Sequence, residues 1–479
     1  LIRGAHVTQR CTEQEAVSAA TRTARDLRDV PHAVTDPQRI PVERYYDQAF
    51  FDREVEHFWP HVWQMACRLE EIPEPGDWIE YTNLTTSVLV VRTATGVKAF
   101  HNACRHRGVQ LGVGQGNCSG KGFVCPFHGW RWNMEGKNTF VYGRQLFDEA
   151  QLESADLDLR ACRVELWGGC AFINLDDDAV PLIECLGDIT ERLDARNIAD
   201  LKVDWWSSTV LPVNWKLAME AFMESYHLMR THPQLHALST KGATLMGPDG
   251  SSHDGEAFDA RAFVDLTIRH LAEISEGMGG MVHASEVAIA QSLADIEVPD
   301  DPGGAARAFY TRLRQEITDQ GCAQGAPVPD LNAIAVSHPV KAVEYLFPHF
   351  FVLPVFSAMS AYRVRPIGPE ECLFEIWSLA MFPEDEDRPR PIAPAPLPHD
   401  DPGFPEVPRQ DYANLPRQQR GLRTHGFEFM RLSRDIEGLI SNYQRLIDGY
   451  LAGIDSDRLA AGSRVVCQGL DVPIAPLGF

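Results

Sequence analysis

The spacing of apolar residues divides the chain into unlike stretches. Residues 46–62 mix aromatic and charged positions at the spacing of an amphipathic helix, one that would pack on the larger domain. Between about residues 76 and 166 the apolar runs are short. Ser87-Val88-Leu89-Val90-Val91-Arg92 is one of them, and together they predict a small antiparallel β domain. Residues 348–382 read as successive antiparallel strands with a Gly368-Pro369 turn. In residues 427–450, Leu432, Ile436, Leu439, Ile440, Tyr443, Leu446, Ile447 and Tyr450 form one apolar stripe at helical spacing. Residues 384–410, rich in Pro and Asp/Glu, predict a long surface loop or subunit arm. Residues 237–345, with glycine breaks at 277–280 and 303–304 and apolar Met278, Met281 and Val282, suit either the lid and walls of a cavity or ordinary packed helices. Met223, Leu228, Met229 and Phe356 are candidates for pocket lining or for core. The expected organisation is an N-terminal helical arm (1–40), a small β domain with its preceding helix (41–170) and a larger α+β domain (171–479).

Composition narrows the class. At 479 residues and 44% hydrophobic, the chain can bury a large core in more than one domain. No run reaches about eighteen apolar residues and the N-terminal segment has no apolar core, so neither a membrane span nor a signal peptide is expected. The sequence begins at Leu1, which leaves room for residues upstream. Cys11, Cys67, Cys162, Cys170, Cys185, Cys322, Cys372 and Cys467 have no paired spacing and read as reduced thiols, so a cytoplasmic location is expected. A net charge of −23 argues against nucleic acid and anionic membranes as partners. Asp176-Asp177-Asp178 reads as a solvated turn.

Two cysteine–histidine pairs carry the most specific chemistry. Cys104-Arg105-His106 and Cys125-Pro126-Phe127-His128 offer two thiolates and two imidazoles from two short loops. That set suits a [2Fe–2S] cluster with cysteine on one iron and histidine on the other, and neutral imidazoles raise its potential. Zinc is the rival, since Cys₂His₂ also makes a tetrahedral structural site, although zinc fingers place their cysteine and histidine pairs on separate elements. Arg105, Arg107, Lys121, Arg131 and Lys137 surround the ligands, either as a solvated loop surface or as a docking patch for an acidic electron donor. Cys118 lies in a glycine-rich connection that lacks the Lys-Ser/Thr of a phosphate loop.

A second constellation follows about a hundred residues on. On one helix Glu220, Glu224 and His227 would fall within about 60° of each other as a polar stripe. His232 lies roughly 140° from His227 on a regular helix, so the two meet at one point only if the helix ends or bulges between them. Pro233 supplies the break, because the residue before proline is pushed out of the α region. Two unrelated surface histidines near a turn are the bland alternative.

With both motifs in this order, the chain resembles the catalytic α subunit of a Rieske non-haem iron aromatic-ring-hydroxylating oxygenase over most of residues 40–455. The resemblance implies a small antiparallel Rieske domain and a helix-grip catalytic domain of α+β class. It implies a cluster on Cys104, His106, Cys125 and His128, and a mononuclear Fe(II) held by His227 and His232. Glu224 would bridge to the cluster histidine of a neighbouring subunit, mapped onto His128, although many members have Asp there. Rieske proteins of respiratory complexes carry two further loop cysteines; Val109 and Phe127 stand at those positions, so that subclass is not expected. A homo-trimer or hexamer is implied, with room for a small β subunit. NAD(P)H electrons would arrive through a flavin reductase or ferredoxin, since the chain has no flavin or nicotinamide motif.

A two-histidine, one-carboxylate triad needs a further downstream carboxylate. Asp435, on the edge of the 427–450 stripe, is the expected third ligand; Glu428 is its rival, and Glu437 points well away. The other reading of Asp435 is a cap or a partner of Arg431 or Arg434. The expected activity is O₂-dependent hydroxylation or dihydroxylation of an apolar aromatic or cyclic substrate, favoured over a small acid because no fixed cation is evident. The alternatives are a monooxygenase or demethylase acting on an amine or ether, and an electron carrier without a working mononuclear iron.

Overall fold

The computed structural model describes residues 27–236, 260–339 and 341–479. Residues 1–26, the bulk of the expected helical arm, lie outside it. Helix α1 (Gln48–His57) is capped by the Asp47 side chain, which accepts from the Phe50 N–H at 2.8 Å. It forms within the expected 46–62 segment and buries Phe50, Phe51 and Glu54.

Short strands then build the region that carries both Cys–His loops. They are β1 (Gln64–Arg68), β2 (Asp77–Asn83), β3 (Thr86–Thr93), β4 (Gly96–His101), β5 (Gln115–Asn117), β6 (Phe123–Val124), β7 (Arg131–Trp132), β8 (Asn138–Phe140), β9 (Ala161–Trp167) and β10 (Cys170–Asn174). Seven of them form an antiparallel sheet in the order β1-β10-β9-β4-β3-β2-β5, and β6-β7-β8 form a second small sheet. Ser87–Arg92 is the buried middle of β3, as its β-branched run requires. Residues 176–178 form a turn, where Asp176 accepts from the His61 imidazole at 2.8 Å.

The second sheet is made by β11 (Lys202–Leu211), β12 (Glu344–Leu346), β13 (Phe350–Pro354), β14 (Met359–Gly368) and β15 (Glu371–Ala380), in the order β11-β15-β14-β13-β12. The β14–β15 hairpin turns at Gly368-Pro369, as the sequence predicts. Helices α2 (Trp215–Glu220) and α3 (Leu228–Thr231) follow β11. Helices α4 (Ala260–Met278), α5 (Ala284–Ser292) and α6 (Pro302–Ala323) lie in the uncertain 237–345 stretch, of which 237–259 and 340 lie outside the described residues. Helices α7 (Glu406–Leu422), α8 (Gly438–Leu451) and α9 (Ser456–Val466) complete this α+β unit. No described helix is long and apolar enough to cross a membrane.

Two expectations fail at helix ends. The 427–450 helix begins only at Gly438, because Phe429–Arg431 is drawn into an antiparallel ladder with Arg39–Pro41. The Glu220–His227 helix stops at Glu220. Its last bonds tighten to the 3₁₀ pattern, Phe222 N–H to Met219 O at 3.2 Å and Met223 N–H to Glu220 O at 3.0 Å, while Phe222 turns onto Phe351 and Tyr362 at ring distances of 4.6 and 5.2 Å.

The two sheets are joined by buried polar contacts. Arg363 binds Glu375 through two bonds of 2.7 and 2.8 Å and donates to the Met65 and Ala66 carbonyls of β1. Burial alone would raise Glu375, yet Arg363 and Arg365 take it down to about 2. His349, driven down to about 3 by burial and then by Arg363, stays neutral and accepts from the Met65 N–H at 3.0 Å. Behind α2, Lys216 and Glu54 form a fully buried pair at 2.7 Å. Removing one partner from such a pair costs about 3–5 kcal/mol, since it strands a charge.

Glu220 does not join a ligand stripe. It accepts from Tyr45 at 2.9 Å and from Gln444 at 2.5 Å, and burial lifts it to about 7 despite those bonds and the nearby Lys216 and Arg44 charges. The folded chain therefore binds this proton more tightly than the unfolded chain. That contribution to stability is complete below the ordinary carboxylate range and is lost as pH rises through about 7. Melting curves between about pH 5 and 8 should show Glu220→Gln removing a stability loss on the order of 2 kcal/mol over that window. An unchanged pH slope would refute this.

Candidate metal centres

The two cluster loops share one hydrogen-bonding plan. Cys104 N–H donates to Val109 O at 2.8 Å and Gly108 N–H returns to Cys104 O at 2.9 Å. In the second loop Cys125 N–H donates to Trp130 O at 2.8 Å and Gly129 N–H returns to Cys125 O at 3.0 Å. Both thiols are buried and both imidazoles are half-buried. The Nδ1 atoms of His106 and His128 lie 3.2 Å apart, so both rings turn the same nitrogen to one shared space. Trp130 stacks on His106 at 4.9 Å, and Phe147 closes on it edge-on. Burial lowers His106, helped by His128 and Arg107, which favours the neutral imidazole a metal needs. Burial raises the Cys104 thiol, against the pull of neighbouring backbone N–H groups. The donor set fits a cluster held by two sulfurs and two nitrogens.

The surrounding cations divide. Lys137 pairs with Asp158 at 2.7 Å and Arg105 donates to the Asp156 carbonyl, whereas Arg107 lies over the ring of Phe127, which is exposed beside His128. Cys118 is a buried thiol, pushed up to about 11 by burial.

The second centre forms where α2 and α3 are interrupted. Glu224 Oε2 accepts from the His227 N–H at 2.9 Å, and Oε1 bonds His227 Nδ1 at 2.8 Å. With Nδ1 so engaged, Nε2 is left to face inward, 4.0 Å from Asp411 Oδ1. The chain breaks at His232, ahead of Pro233, with φ −127° and ψ 63°. His232 is almost fully buried; its Nε2 lies 2.9 Å from Asp411 Oδ1, and its Nδ1 meets Gln410 Oε1 at 2.5 Å. Donor atoms of His227, His232 and Asp411 all fall within 4.8 Å of one another. Burial alone would lower His227, but the Glu224 bond and charge, with Asp411, carry it upward. Two imidazoles and one carboxylate at these distances make up the donor set of a two-histidine, one-carboxylate triad.

A family model for the ring hydroxylating alpha subunit (catalytic domain) matches residues 198–453, more than half of the chain, and a Rieske [2Fe-2S] domain model matches residues 62–141. The chain belongs to the ring-hydroxylating α-subunit family. Glycine betaine monooxygenase oxygenase subunit from Pseudomonas aeruginosa is 31% identical over 45% of this chain and 49% of its own length. The carnitine monooxygenase oxygenase subunit of Escherichia coli is 30% identical over 40% and 52%. For 2-aminobenzenesulfonate 2,3-dioxygenase subunit alpha of an Alcaligenes species the figures are 31%, 41% and 50%. The chain spans about half the length of these relatives. Among solved structures, naphthalene 1,2-dioxygenase with indole bound shares the fold at TM-score 0.59 and 18% identity, covering 90% of this chain and 96% of that one. A quaternary ammonium Rieske monooxygenase, described for carnitine oxidation and inter-subunit electron transfer, shares it at TM-score 0.56 and 18% identity, covering 87% and 96%.

For this family member, the structure gathers Cys104, His106, Cys125 and His128 in one place, and Glu224, His227 and His232 in another. Asp435 joins neither. It is exposed in the turn before α8, because the helix expected to carry it starts three residues later. Asp411 takes the position by the histidines. It sits on the buried side of α7 with Val407, Tyr412, Leu415, Gln419 and Leu422, and that spacing was a readable signal for a buried carboxylate. Pro408 and Pro416 disguise this helix in the sequence, and its first turns fall in the stretch expected to be loop. Of the pocket candidates, Met223 and Met278 lie in the main core, and Val282 and Phe356 in the cluster under α4–α6.

Proposed function

We propose that this chain is the terminal oxygenase of a multicomponent system, and that it hydroxylates a small polar amine at a carbon next to nitrogen. The observation that carries the oxygenase reading is the convergence of His227, His232 and Asp411 in a chain that also presents the four cluster donors. When bound, the mononuclear iron supplies the site for O₂, and the [2Fe–2S] cluster supplies single electrons. The chain's own residues orient these donors. Glu224 and Gln410 hold the Nδ1 atoms of His227 and His232, so that each Nε2 turns to the shared site. Glu224 is also the proposed link to His128 of a neighbouring copy. Electrons from NAD(P)H would come through a separate reductase or ferredoxin.

The amine reading, weighed in the sequence as the alternative to an apolar ring, has the better support. Two of the relatives are named for glycine betaine and carnitine. The buried interior of this domain is also not wholly apolar. Ser360 and Ser378 are cross-strand partners, and the hydroxyls of Ser378 and Tyr412 are buried without a hydrogen-bond partner among the described residues. Burial raises the Tyr362 phenol against the pull of its Ser360 hydrogen bond, with a smaller upward push from the Asp411 charge. Each unpaired hydroxyl costs about 1–3 kcal/mol, a penalty that a polar substrate or its waters would relieve.

In the reaction one O₂ atom enters the C–H bond next to nitrogen and the other leaves as water, consuming two electrons and two protons; the hydroxymethyl amine then releases aldehyde. The test supplies NADH and a surrogate reductase with tertiary and quaternary amines in parallel with aromatic hydrocarbons. Aldehyde released in step with O₂ uptake on an amine is the expected result. Turnover confined to the hydrocarbons would overturn the substrate class.

A further inference from the structure

The turn that carries Glu224 and His227 is held from far along the chain. Between the end of α2 and the start of α3 the backbone makes only turn bonds, and the Ser225 N–H is met by the Asp471 carboxylate at 2.9 Å. The Ser225 hydroxyl donates to the second Asp471 oxygen at 2.6 Å, so both oxygens are spent on the residue next to Glu224. Asp471 sits at φ +57°, a left-handed conformation that a non-glycine residue keeps only where its surroundings enforce it.

Those surroundings are visible. Upstream, Gln468 O accepts from Tyr345 N–H at 3.1 Å and Gly469 bridges Glu344. Downstream, Ile474 N–H donates to Arg434 O at 3.0 Å, Ala475 N–H to Asn442 Oδ1 at 2.9 Å, and Arg445 to Ala475 O at 2.7 Å. The segment crosses the start of α8 so closely that a Cβ on Gly438 would lie 2.1 Å from Ile474 N. Residues 468–475 thus form a strap fixed on both sides of Asp471. Glu437, beside that crossing, is raised by burial against the Ser433 N–H bond it accepts, with a smaller upward push from the Glu224 charge.

We propose that Asp471 is a positioning residue: its carboxylate clamps Ser225 and thereby sets the Glu224 carboxylate in register between His227 and the donor histidine of a neighbouring copy. This rests on the reading of Glu224 as the electron bridge. A carboxylate spanning two imidazoles must be placed to a fraction of an ångström, and misplacement by about 1 Å can cost about a hundredfold in rate.

Asp471→Gly removes the clamp and suits the left-handed backbone; Asp471→Asn keeps the shape and can still bond Ser225. In single-turnover mixing of the reduced holoenzyme with O₂ and substrate, Asp471→Gly should slow cluster oxidation at least about tenfold with KM unchanged, and Asp471→Asn should stay within about twofold. In the metal-free protein, amide exchange over residues 222–228 should accelerate in the glycine variant alone. Wild-type rates and exchange in Asp471→Gly, or equal losses in both variants, would overturn the clamp. If Asp471→Gly does not fold, Ser225→Ala deletes the 2.6 Å bond alone and should show a smaller loss in both readouts; no loss there also overturns it. Failure of the wild-type enzyme to oxidise its cluster would instead count against the proposed function.

Discussion

Replacing Asp411 with alanine is expected to abolish turnover while leaving the visible spectrum of the cluster intact. Asp411 Oδ1 lies 2.9 Å from His232 Nε2 and 4.0 Å from His227 Nε2, and it is the carboxylate that completes the donor set. Without it only the two imidazoles face the site, with no carboxylate among the donors to balance a divalent cation. Iron should fall from about three to about two atoms per chain, and the rate by at least about a hundredfold. Asp435→Ala is the control. Its side chain is exposed in a turn, so iron content and rate should remain at wild-type values and stability should shift by no more than about 0.5 kcal/mol. Metal analysis of the two variants decides which carboxylate is the ligand.

The two centres should also fail separately. His128→Ala removes one of the two imidazoles whose Nδ1 atoms meet at 3.2 Å, and it should bleach the cluster spectrum and stop turnover. His227→Ala should leave the spectrum unchanged and stop turnover as completely, because the cluster loops and the broken α2–α3 segment share none of their ligands. Full turnover in His227→Ala would show that the second centre is misplaced. Loss of the spectrum in that variant would show that the centres do not assemble independently.

What the sequence disclosed follows the range of the interactions involved. The cluster loops were readable because all four donors lie within twenty-five residues, in loops closed by local backbone bonds. His227 and His232 were readable because Pro233 announces the break that lets them converge. Asp411 was masked despite its place on an apolar face, because its helix carries two prolines and its histidine partners lie almost two hundred residues upstream. Asp435 was favoured over Glu428 and Glu437 because the apolar stripe, read along the sequence, extends through Leu432 and Ile436. Only the pairing of Phe429–Arg431 with Arg39–Pro41, a contact across most of the chain, shows where the helix starts. Glu220 was drawn into the wrong stripe for a similar reason: its partners, Tyr45 and Gln444, come from both ends of the sequence.

Electron delivery between copies of the chain is tested most directly by complementation. If the proposed oligomer forms, co-expressed His128→Ala and His227→Ala chains would assemble hybrids in which one copy keeps a cluster and another keeps an iron site, with no copy holding both. Wiring across the interface through Glu224 should restore turnover to about a quarter of wild type in a random mixture, from two variants that are inactive alone. Hybrids of confirmed mixed composition that remain inactive would mean that each chain must serve its own iron, and the central claim would be wrong.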